Sequence, residues 1–295
     1  MRMRESVQYE EQLLACPLCH SPVRAADEAF QCTDSRCGYT MRISRGVVLA
    51  QERHKESFFD GTHRQMSLST QQCGTRRMCY VQQADWINRR LSKLLPGDRV
   101  VVDVGCGPRL PYSRSDRYFL VGVDVSLESI QLNAEVDLRI FASSLGLPLK
   151  DKSVDAIVCF YLLHHLVGGS VREHYRNLED TFKEFGRVLK PAGCLYGVEV
   201  SPIPPLFWIQ RVTWGIVRRL YPRLDMFFWS TQAMQEVSQK SLPAGTSLLE
   251  QEFHCPFWVM FPFVFAWPQF QLPRCFFPFR AYVYEWCLPQ PNSAG

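Results

Sequence analysis

The stretch that decides the fold is VVVDVGCGPRLPY, which runs from Val100 to Tyr112. The residues from Arg99 to Val104 form a mainly apolar run, which predicts a strand buried in a parallel sheet. Gly105 and Gly107 follow at once, and glycine lets the backbone turn and approach a ligand closely. The stretch therefore predicts a ligand site at the carboxyl end of a buried strand.

A second carboxylate follows the next predicted strand, Tyr118 to Val123. Asp124 ends this strand in the stretch LVGVDVS, and its carboxylate can accept hydrogen bonds from both hydroxyls of a ribose. A nicotinamide dinucleotide fits the two glycines equally well, but its fingerprint needs a third glycine near position 110, where Leu110 stands. The residues so far indicate a nucleoside site without specifying the nucleoside.

Helices and strands alternate along the rest of the chain, a pattern typical of a parallel sheet with helices packed against it. Ser126 is expected to cap the helix that follows Asp124. The other helices are predicted at 84–95, 172–190, 206–220 and 231–240, and the other strands at 138–142, 154–160, 194–200, 247–254 and 280–287.

Four motifs stand in a fixed order between about residues 99 and 200: DVGCGP, GVDVS, LPLKDKSVDAIVCFYLLHHL and FGRVLKPAGCLYGVE. Together they resemble the class I S-adenosylmethionine-dependent methyltransferases, in particular the type 11 group. The resemblance implies an α/β, Rossmann-like fold with a mostly parallel seven-stranded sheet and helices on both faces. It also implies that S-adenosylmethionine is the co-substrate.

The same resemblance implies a role for individual residues. The turn after the first strand surrounds the amino-acid end of the cofactor, the next acidic residue holds the ribose, and its neighbour flanks the adenine. The residues before the LPL loop lie near the adenine, and an aromatic residue at the end of the fourth strand lies near the sulfonium. In chain order these residues are Asp103, Gly105, Cys106, Gly107, Asp124, Val125, Ser143, Ser144, Leu145 and Phe160.

A hydroxyl or protonated nitrogen acceptor needs a base within hydrogen-bond reach. His164, in the LLHHL segment, is one candidate. Glu199, at the end of the fifth methyltransferase strand, and His254, at the end of the sixth, are the others. These three residues are the predicted catalytic groups.

Four cysteines near the N-terminus have the spacing of a metal site. Two residues separate Cys16 from Cys19, and twelve residues separate Cys19 from Cys32. Four residues separate Cys32 from Cys37. Two thiolate pairs joined by a short β-hairpin suit a structural Zn²⁺, with all four ligand positions filled by the protein. Residues 12–50 are therefore predicted to form a small zinc ribbon, in which the neighbouring His20 is an alternative ligand.

Two segments rich in aromatic residues are expected at the carboxyl edge of the sheet. They cover residues 201–230 and 255–278 and carry most of the tryptophans of the chain. An apolar pocket there favours a hydrophobic small molecule or a lipid as methyl acceptor. The arginines among the aromatic residues also allow peripheral contact with a membrane. An enlarged core or a dimer face would explain the same composition, so the acceptor pocket, the membrane contact and the core or dimer face all remain open as interpretations.

RNA is the alternative acceptor. The CPLCHSPV segment and the ASSLGLPLKDKSVDAI segment are also similar to the zinc-containing guanine-N1 methyltransferases of ribosomal RNA, although those proteins have a histidine where Cys37 stands. Residues 36–95 are rich in arginine and lysine, which could follow a phosphate backbone.

Composition sets the remaining expectations. The 295 residues carry a net charge of +4, which permits an acidic partner without requiring one. The first residues are polar and no apolar leader is visible, so we expect a cytoplasmic protein whose other cysteines are buried thiols. Residues 51–83 are predicted to be a linker or cap segment, and residues 84–295 the methyltransferase domain with its two aromatic insertions.

Overall fold

The apolar runs of the sequence form the central strands of one mixed sheet in the computed structural model. The structure describes residues 9–51, 78–94, 99–222, 224–254, 258–260 and 271–290. Seven strands correspond to the predicted methyltransferase sheet: β5 (Val100–Val104), β6 (Phe119–Asp124), β7 (Leu138–Phe141), β8 (Val154–Phe160), β9 (Leu189–Pro202), β10 (Ser247–Phe253) and, last in the chain, β13 (Phe279–Cys287).

These strands lie in the order β7-β6-β5-β8-β9-β13-β10. The first five are parallel to one another, and β13 is antiparallel to both of its neighbours. β10 therefore runs in the same direction as β9, as the resemblance implied. The prediction of a mostly parallel, Rossmann-like seven-stranded sheet is confirmed.

Helices cover both faces of this sheet, because alternate residues of a strand point to opposite sides. Val101 packs in one apolar cluster with helix α1 (Met78–Leu91) and with Ile130 of helix α2 (Leu127–Leu132). Val100 and Val102 pack in the other cluster, with the helices α3 (Val171–Val188), α4 (Pro204–Leu220) and α5 (Thr231–Ser241).

Most predicted boundaries are within two residues of those observed, but the two ends of α1 and the start of β9 are not. Helix α1 ends at Leu91, four residues before the predicted end. Helix α1 begins at Met78, earlier than the predicted Ala84, because the polar composition of the preceding residues hid its first turns. Strand β9 begins at Leu189, directly after α3, so Pro191 and Gly193 lie inside the strand. The predicted cap of α2 is confirmed, since the Ser126 hydroxyl accepts a hydrogen bond from Ser129 N.

The N-terminal cysteine-bearing unit extends the same sheet. Its strands β1 (Val23–Ala26), β2 (Ala29–Cys32), β3 (Thr40–Ser44) and β4 (Val47–Leu49) are antiparallel neighbours in sequence order. β4 then pairs in parallel with β7, so eleven strands of the described residues form one sheet. The unit therefore shares backbone hydrogen bonds with the methyltransferase strands.

The connection between β5 and β6 contains no helix. Residues 105–118 are all described and form turns and irregular backbone. Pro108 and Pro111 lack backbone N–H groups, which limits helix formation there. Side chains hold the loop instead: Leu110 N donates to Glu135 Oε2 at 2.7 Å, and Arg114 pairs with Asp137 at 2.7 Å.

One pair of cysteines departs from the expectation of isolated thiols. Cys194 in β9 and Cys287 in β13 are register partners and form a disulfide bond. They are 93 residues apart in the chain, so their spacing gave no indication that they meet.

Two predicted segments lie partly outside the described residues. Of the expected linker or cap at 51–83, residues 52–77 are not described, and of the aromatic insertion at 255–278, residues 255–257 and 261–270 are not. The described part of that insertion includes the short antiparallel strands β11 (Trp258–Met260) and β12 (Gln271–Pro273). Among the described helices, none has the length and apolarity needed to cross a bilayer.

His174 is fully buried where α3 packs against the chain that follows α4. Its Nδ1 accepts a hydrogen bond from Gly168 N at 2.8 Å, so the ring proton resides on Nε2. The rings of Trp214 and Phe227 lie 4.6 and 4.7 Å from it, centroid to centroid. Burial, aided by the charge of Arg218, lowers the pKa of His174 to about 4 from its ordinary value of 6.5.

We expect this histidine to make the fold sensitive to acid. Above pH 6.5 it is neutral in both states, and its contribution to stability is fully present. As the pH falls from 6.5 towards 4, the unfolded chain binds a proton that the folded chain excludes, which should cost roughly 2–3 kcal/mol. Urea unfolding at several pH values should show this loss in the natural chain and a smaller loss in His174→Gln, and equal losses would contradict it.

Candidate functional site

The turn after β5 is shaped by its two glycines. Gly105 has φ +75° and Gly107 has φ +60°, backbone conformations that residues with a Cβ rarely adopt. A Cβ on Gly105 would lie 2.9 Å from Leu162 Cδ1, whereas a Cβ on Gly107 would meet no atom within 4 Å. Cys106, between them, is buried. The turn therefore presents backbone to open space at Gly107, as a site for a ligand requires.

Asp103 lies beneath this turn and has an unsatisfied oxygen. Its Oδ2 accepts a hydrogen bond from the Tyr112 hydroxyl at 2.6 Å. Its Oδ1 is buried without a hydrogen-bond partner among the described residues. Burial raises the pKa of Asp103 to about 7. A buried carboxyl group with a vacant oxygen fits a cationic donor such as the ammonium group of S-adenosylmethionine.

Asp124 joins the two strand ends. Its Oδ2 accepts from Gly107 N at 2.8 Å and its Oδ1 accepts from Ser126 N at 2.7 Å. Asn133 holds the same turn from the other side, because its Nδ2 donates to Gly107 O at 2.9 Å. Asp124 thus lies at the glycine turn, at the position where the resemblance expects the ribose.

The residues predicted to lie near the adenine occupy two short loops after β6 and β7. Val125 and Leu145 are exposed apolar side chains, which fits one face of a base. The Ser143 hydroxyl accepts from Leu145 N at 3.2 Å. The Ser144 hydroxyl is buried and lies 3.2 Å from the Thr181 hydroxyl of α3, so its contact is with the helix.

A buried histidine and a buried carboxylate are in contact near the carboxyl ends of β8 and β9. His164 Nδ1 lies 2.7 Å from Glu199 Oε2, and Glu199 Oε1 accepts from Leu163 N at 2.6 Å. The exposed fractions of the two residues are 6% and 2%. Because a carboxylate only accepts hydrogen bonds, the His164 proton is on Nδ1, which leaves Nε2 as an acceptor when the ring is neutral.

The segment 225–229 packs over this pair. Phe228 stacks on His164 with ring centroids 5.2 Å apart and planes 11° apart. Phe227 N donates to His164 O at 2.8 Å, and Trp229 Nε1 donates to Leu163 O at 2.9 Å. This aromatic segment, from the first predicted insertion, therefore encloses the His164–Glu199 pair.

The end of β8 borders the same region. Phe160 is buried, and the ring of Tyr80 lies 4.8 Å from it, centroid to centroid. Tyr161 has φ +57°, an uncommon conformation for a bulky residue. Its hydroxyl donates to Gln83 Oε1 at 2.7 Å, and Gln83 Nε2 donates to Tyr282 O at 3.2 Å. Gln83 is fully buried, and its two hydrogen bonds connect α1 to the end of β8 and to β13.

The structure thus brings together two of the three predicted catalytic residues. His164 and Glu199 are in contact, whereas His254 is an exposed residue directly after β10. Four further residues at the site had no signal in the sequence: Tyr112, Asn133, Gln83 and Phe228. Tyr112 contacts Asp103 nine residues away, and the other three contact residues more distant in the chain. Single polar or aromatic residues of this kind are common in any sequence.

The four N-terminal cysteines form one cluster. Their sulfur atoms all lie within 4.8 Å of one another, with Cys16 and Cys37 at 3.6 Å and Cys19 and Cys32 at 3.4 Å. A tetrahedral Zn²⁺ with bonds of about 2.3 Å holds its sulfur ligands roughly 3.8 Å apart. The donor set and its spacing therefore fit zinc, and the exposed His20 is not part of the cluster.

Part of the chain matches a known protein family. Residues 102–197 match the family described as "Methyltransferase domain". In fold, the chain is similar to the YcgJ protein from Bacillus subtilis, with a TM-score of 0.50 and 16% identity over 71% of this chain and 99% of that one. Residues 102–197 thus form a class I, S-adenosylmethionine-dependent methyltransferase domain.

Two relatives show how far the similarity extends. A tRNA (carboxymethyluridine(34)-5-O)-methyltransferase of Arabidopsis thaliana is 28% identical over 100 residues, which is 34% of this chain and 23% of that protein. An uncharacterized methyltransferase-like protein of Schizosaccharomyces pombe is 27% identical over 157 residues, which is 50% of this chain and 56% of that one. The matched region thus covers about a quarter of the Arabidopsis thaliana protein and little more than half of the Schizosaccharomyces pombe protein.

Removing the Asp124 carboxylate should weaken cofactor binding. Asp124→Ala deletes the predicted ribose acceptor and frees Gly107 N, so the affinity for S-adenosylmethionine should fall by about 1–3 kcal/mol in titration calorimetry. Asp116→Ala, which removes an exposed carboxylate from the preceding loop, should leave the affinity unchanged. Equal affinities for the natural chain and Asp124→Ala would show that the ribose is held elsewhere.

Proposed function

We propose that this chain transfers a methyl group from S-adenosylmethionine to an oxygen, nitrogen or carbon atom of a hydrophobic small molecule or lipid. The observation that carries the proposal is the enclosure of the buried His164–Glu199 pair by the aromatic segment 225–229. This enclosure lies at the carboxyl edge of the sheet, where the glycine turn also lies. Apolar walls around one polar pair favour an acceptor that is apolar apart from its reacting atom.

The chain's own residues have distinct roles in this reaction. When bound, S-adenosylmethionine supplies an electrophilic methyl carbon on a sulfonium. Asp103 holds the ammonium group and Asp124 the ribose, while the backbone from Gly105 to Gly107 allows close approach. Val125, Ser143 and Leu145 border the adenine, and Phe160 borders the sulfonium. Positioning and exclusion of water supply most of the rate enhancement, because the methyl group is already activated.

His164 is the general base for an acceptor that loses a proton. Its Nε2 takes the proton of the acceptor hydroxyl or nitrogen as the new bond to the methyl carbon forms. Glu199 accepts the Nδ1–H bond, fixes the tautomer and stabilises the imidazolium. Because both groups are buried, their mutual interaction is only weakly screened by solvent.

The cysteine cluster is proposed to hold a structural Zn²⁺. The residue after the second cysteine of each pair has a left-handed backbone, with φ 57° at His20 and 62° at Gly38. The same kind of backbone conformation therefore follows each of the two cysteine pairs. The cluster lies close to the cofactor loops, because Ala15 N donates to Pro148 O at 3.0 Å and Leu14 packs with Leu147.

RNA is the second candidate acceptor. It is supported by the similarity to the tRNA methyltransferase of Arabidopsis thaliana and by the basic composition of residues 36–95. The aromatic enclosure of His164 favours the hydrophobic acceptor, although aromatic side chains also stack on bases.

The test is transfer of a labelled methyl group. The purified chain is incubated with methyl-labelled S-adenosylmethionine and a cell extract, which is then separated into lipid, small-molecule, RNA and protein fractions. Label is expected in the lipid or apolar small-molecule fraction. His164→Gln should slow labelling on the order of 100-fold or more, since a general base is lost, while cofactor affinity stays unchanged.

His254→Gln is the matched comparison, because His254 is exposed and lies outside the pair. A larger loss of labelling in His254→Gln than in His164→Gln would reassign the base. Label confined to RNA would reject the hydrophobic acceptor, and an absence of label in every fraction would reject methyl transfer itself.

The metal content of the purified chain tests the cluster. We expect about one zinc per chain by elemental analysis, lost in Cys16→Ser and in Cys32→Ser because a tetrahedral site needs all four thiolates. Cys275→Ser removes an exposed thiol outside the cluster and should retain the metal. A metal-free chain with unchanged circular dichroism and thermal stability would contradict the zinc assignment.

A further inference from the structure

Helix α4 presents a stripe of large apolar side chains to solvent. Val212, Ile216 and Leu220 follow one another at intervals of four residues, and their exposed fractions are 78%, 66% and 68%. Trp208 and Ile209 extend the stripe towards the start of the helix, with 59% and 57% exposed. The opposite side of the helix is buried through Phe207 and Trp214. Residues at this spacing share one face of a helix, so the stripe is continuous.

The charged side chains of α4 itself are all arginines. Between Ser201 and Leu224 the sequence contains no aspartate or glutamate, and the described arginines of α4 are Arg211, Arg218 and Arg219. Arg211 lies over the Trp208 ring at 5.0 Å, and Arg219 is exposed beside the stripe. Arg218 pairs with Asp225, which follows the helix, at 3.6 Å, so the positive charge beside the stripe comes from Arg211 and Arg219.

We propose that this face of α4 binds the surface of a bilayer that contains anionic lipid. Amphipathic helices of this composition lie in the plane of the interface, with apolar side chains among the acyl chains and basic groups at the headgroups. The helix has 17 residues and three arginines, so it lies on the membrane and does not cross it. Trp208 near its start and Tyr221 after its end suit the boundary between headgroups and hydrocarbon.

Charge argues against a second copy of the chain as the occupant. A symmetric dimer through α4 would bring the same helix face of two chains together. Arg219 of one copy would then lie close to Arg219 of the other, and α4 carries no carboxylate to neutralise the two charges. An anionic headgroup layer supplies the missing negative charge, which identifies the lipid surface as the better match.

The bilayer-binding face is directly connected to the acceptor side of the site. Gln210 of α4 pairs with both backbone groups of Phe228, its Nε2 donating to Phe228 O at 2.9 Å and its Oε1 accepting from Phe228 N at 3.0 Å. Phe228 in turn stacks on His164. A lipid surface under α4 therefore lies beside the pocket. The inference itself goes beyond the proposed reaction, because membrane binding needs neither cofactor nor methyl transfer.

Vesicle co-sedimentation of the intact chain tests the proposal, with no S-adenosylmethionine added. One set of vesicles contains phosphatidylcholine alone, and the other has about a third of it replaced by anionic phosphatidylglycerol. We expect binding to the anionic vesicles, weakened by added salt. The affinity of the triple variant Ile209→Ser, Val212→Ser and Ile216→Ser for these vesicles should fall by at least about tenfold, because the side chains that enter the bilayer are lost.

Leu249→Ser is the matched control, since Leu249 is an exposed apolar residue on β10 and outside the stripe. It should bind anionic vesicles as well as the natural chain does, and circular dichroism should show all variants folded. Failure of the natural chain to bind anionic vesicles, or equal binding by the triple variant, would overturn the proposal. The proposal would also be overturned if light scattering showed that the natural chain is a dimer and the triple variant a monomer. Cofactor affinity is measured separately, so none of these failures bears on methyl transfer.

Discussion

The carboxylate of Asp124 is the constraint on which the cofactor site depends. Its two oxygens bind Gly107 N at 2.8 Å and Ser126 N at 2.7 Å, so one side chain fixes the turn after β5 and the start of α2. No helix follows the glycine turn, and the turn thus lacks the support that a helix N-terminus would give. Asn133 and Glu135 supply this support through hydrogen bonds to Gly107 and Leu110.

The His164–Glu199 pair is held by a second set of contacts, which converge on the turn that contains His164. Glu199 binds both the His164 ring and Leu163 N, and the segment 225–229 binds the carbonyl groups of the same turn. Gln210 fixes that segment from α4. Because these contacts join β9, α4 and the turn, the geometry of the His164–Glu199 pair depends on how the aromatic insertion packs against the sheet.

Much of the fold follows from local patterns in the sequence. The buried strands, the glycine turn, Asp124 and the Ser126 cap each have a signal within a few residues, because strand burial, turn conformation and capping are local properties. The sequence named His164 and Glu199 as separate candidates, and their contact is a finding of the structure. Features that join distant segments had no such signal. These include the pairing of β4 with β7, the disulfide between Cys194 and Cys287, and the stacking of Phe228 on His164.

The central claim is that the glycine turn and the two carboxylates at the ends of β5 and β6 bind a sulfonium nucleoside. The most direct test is calorimetric titration of the folded, zinc-loaded chain with S-adenosylhomocysteine, the demethylated product, which cannot react during the measurement. The structure predicts saturable binding of one molecule per chain. An absence of heat at every concentration and at two temperatures, with the chain shown to be folded, would contradict the claim.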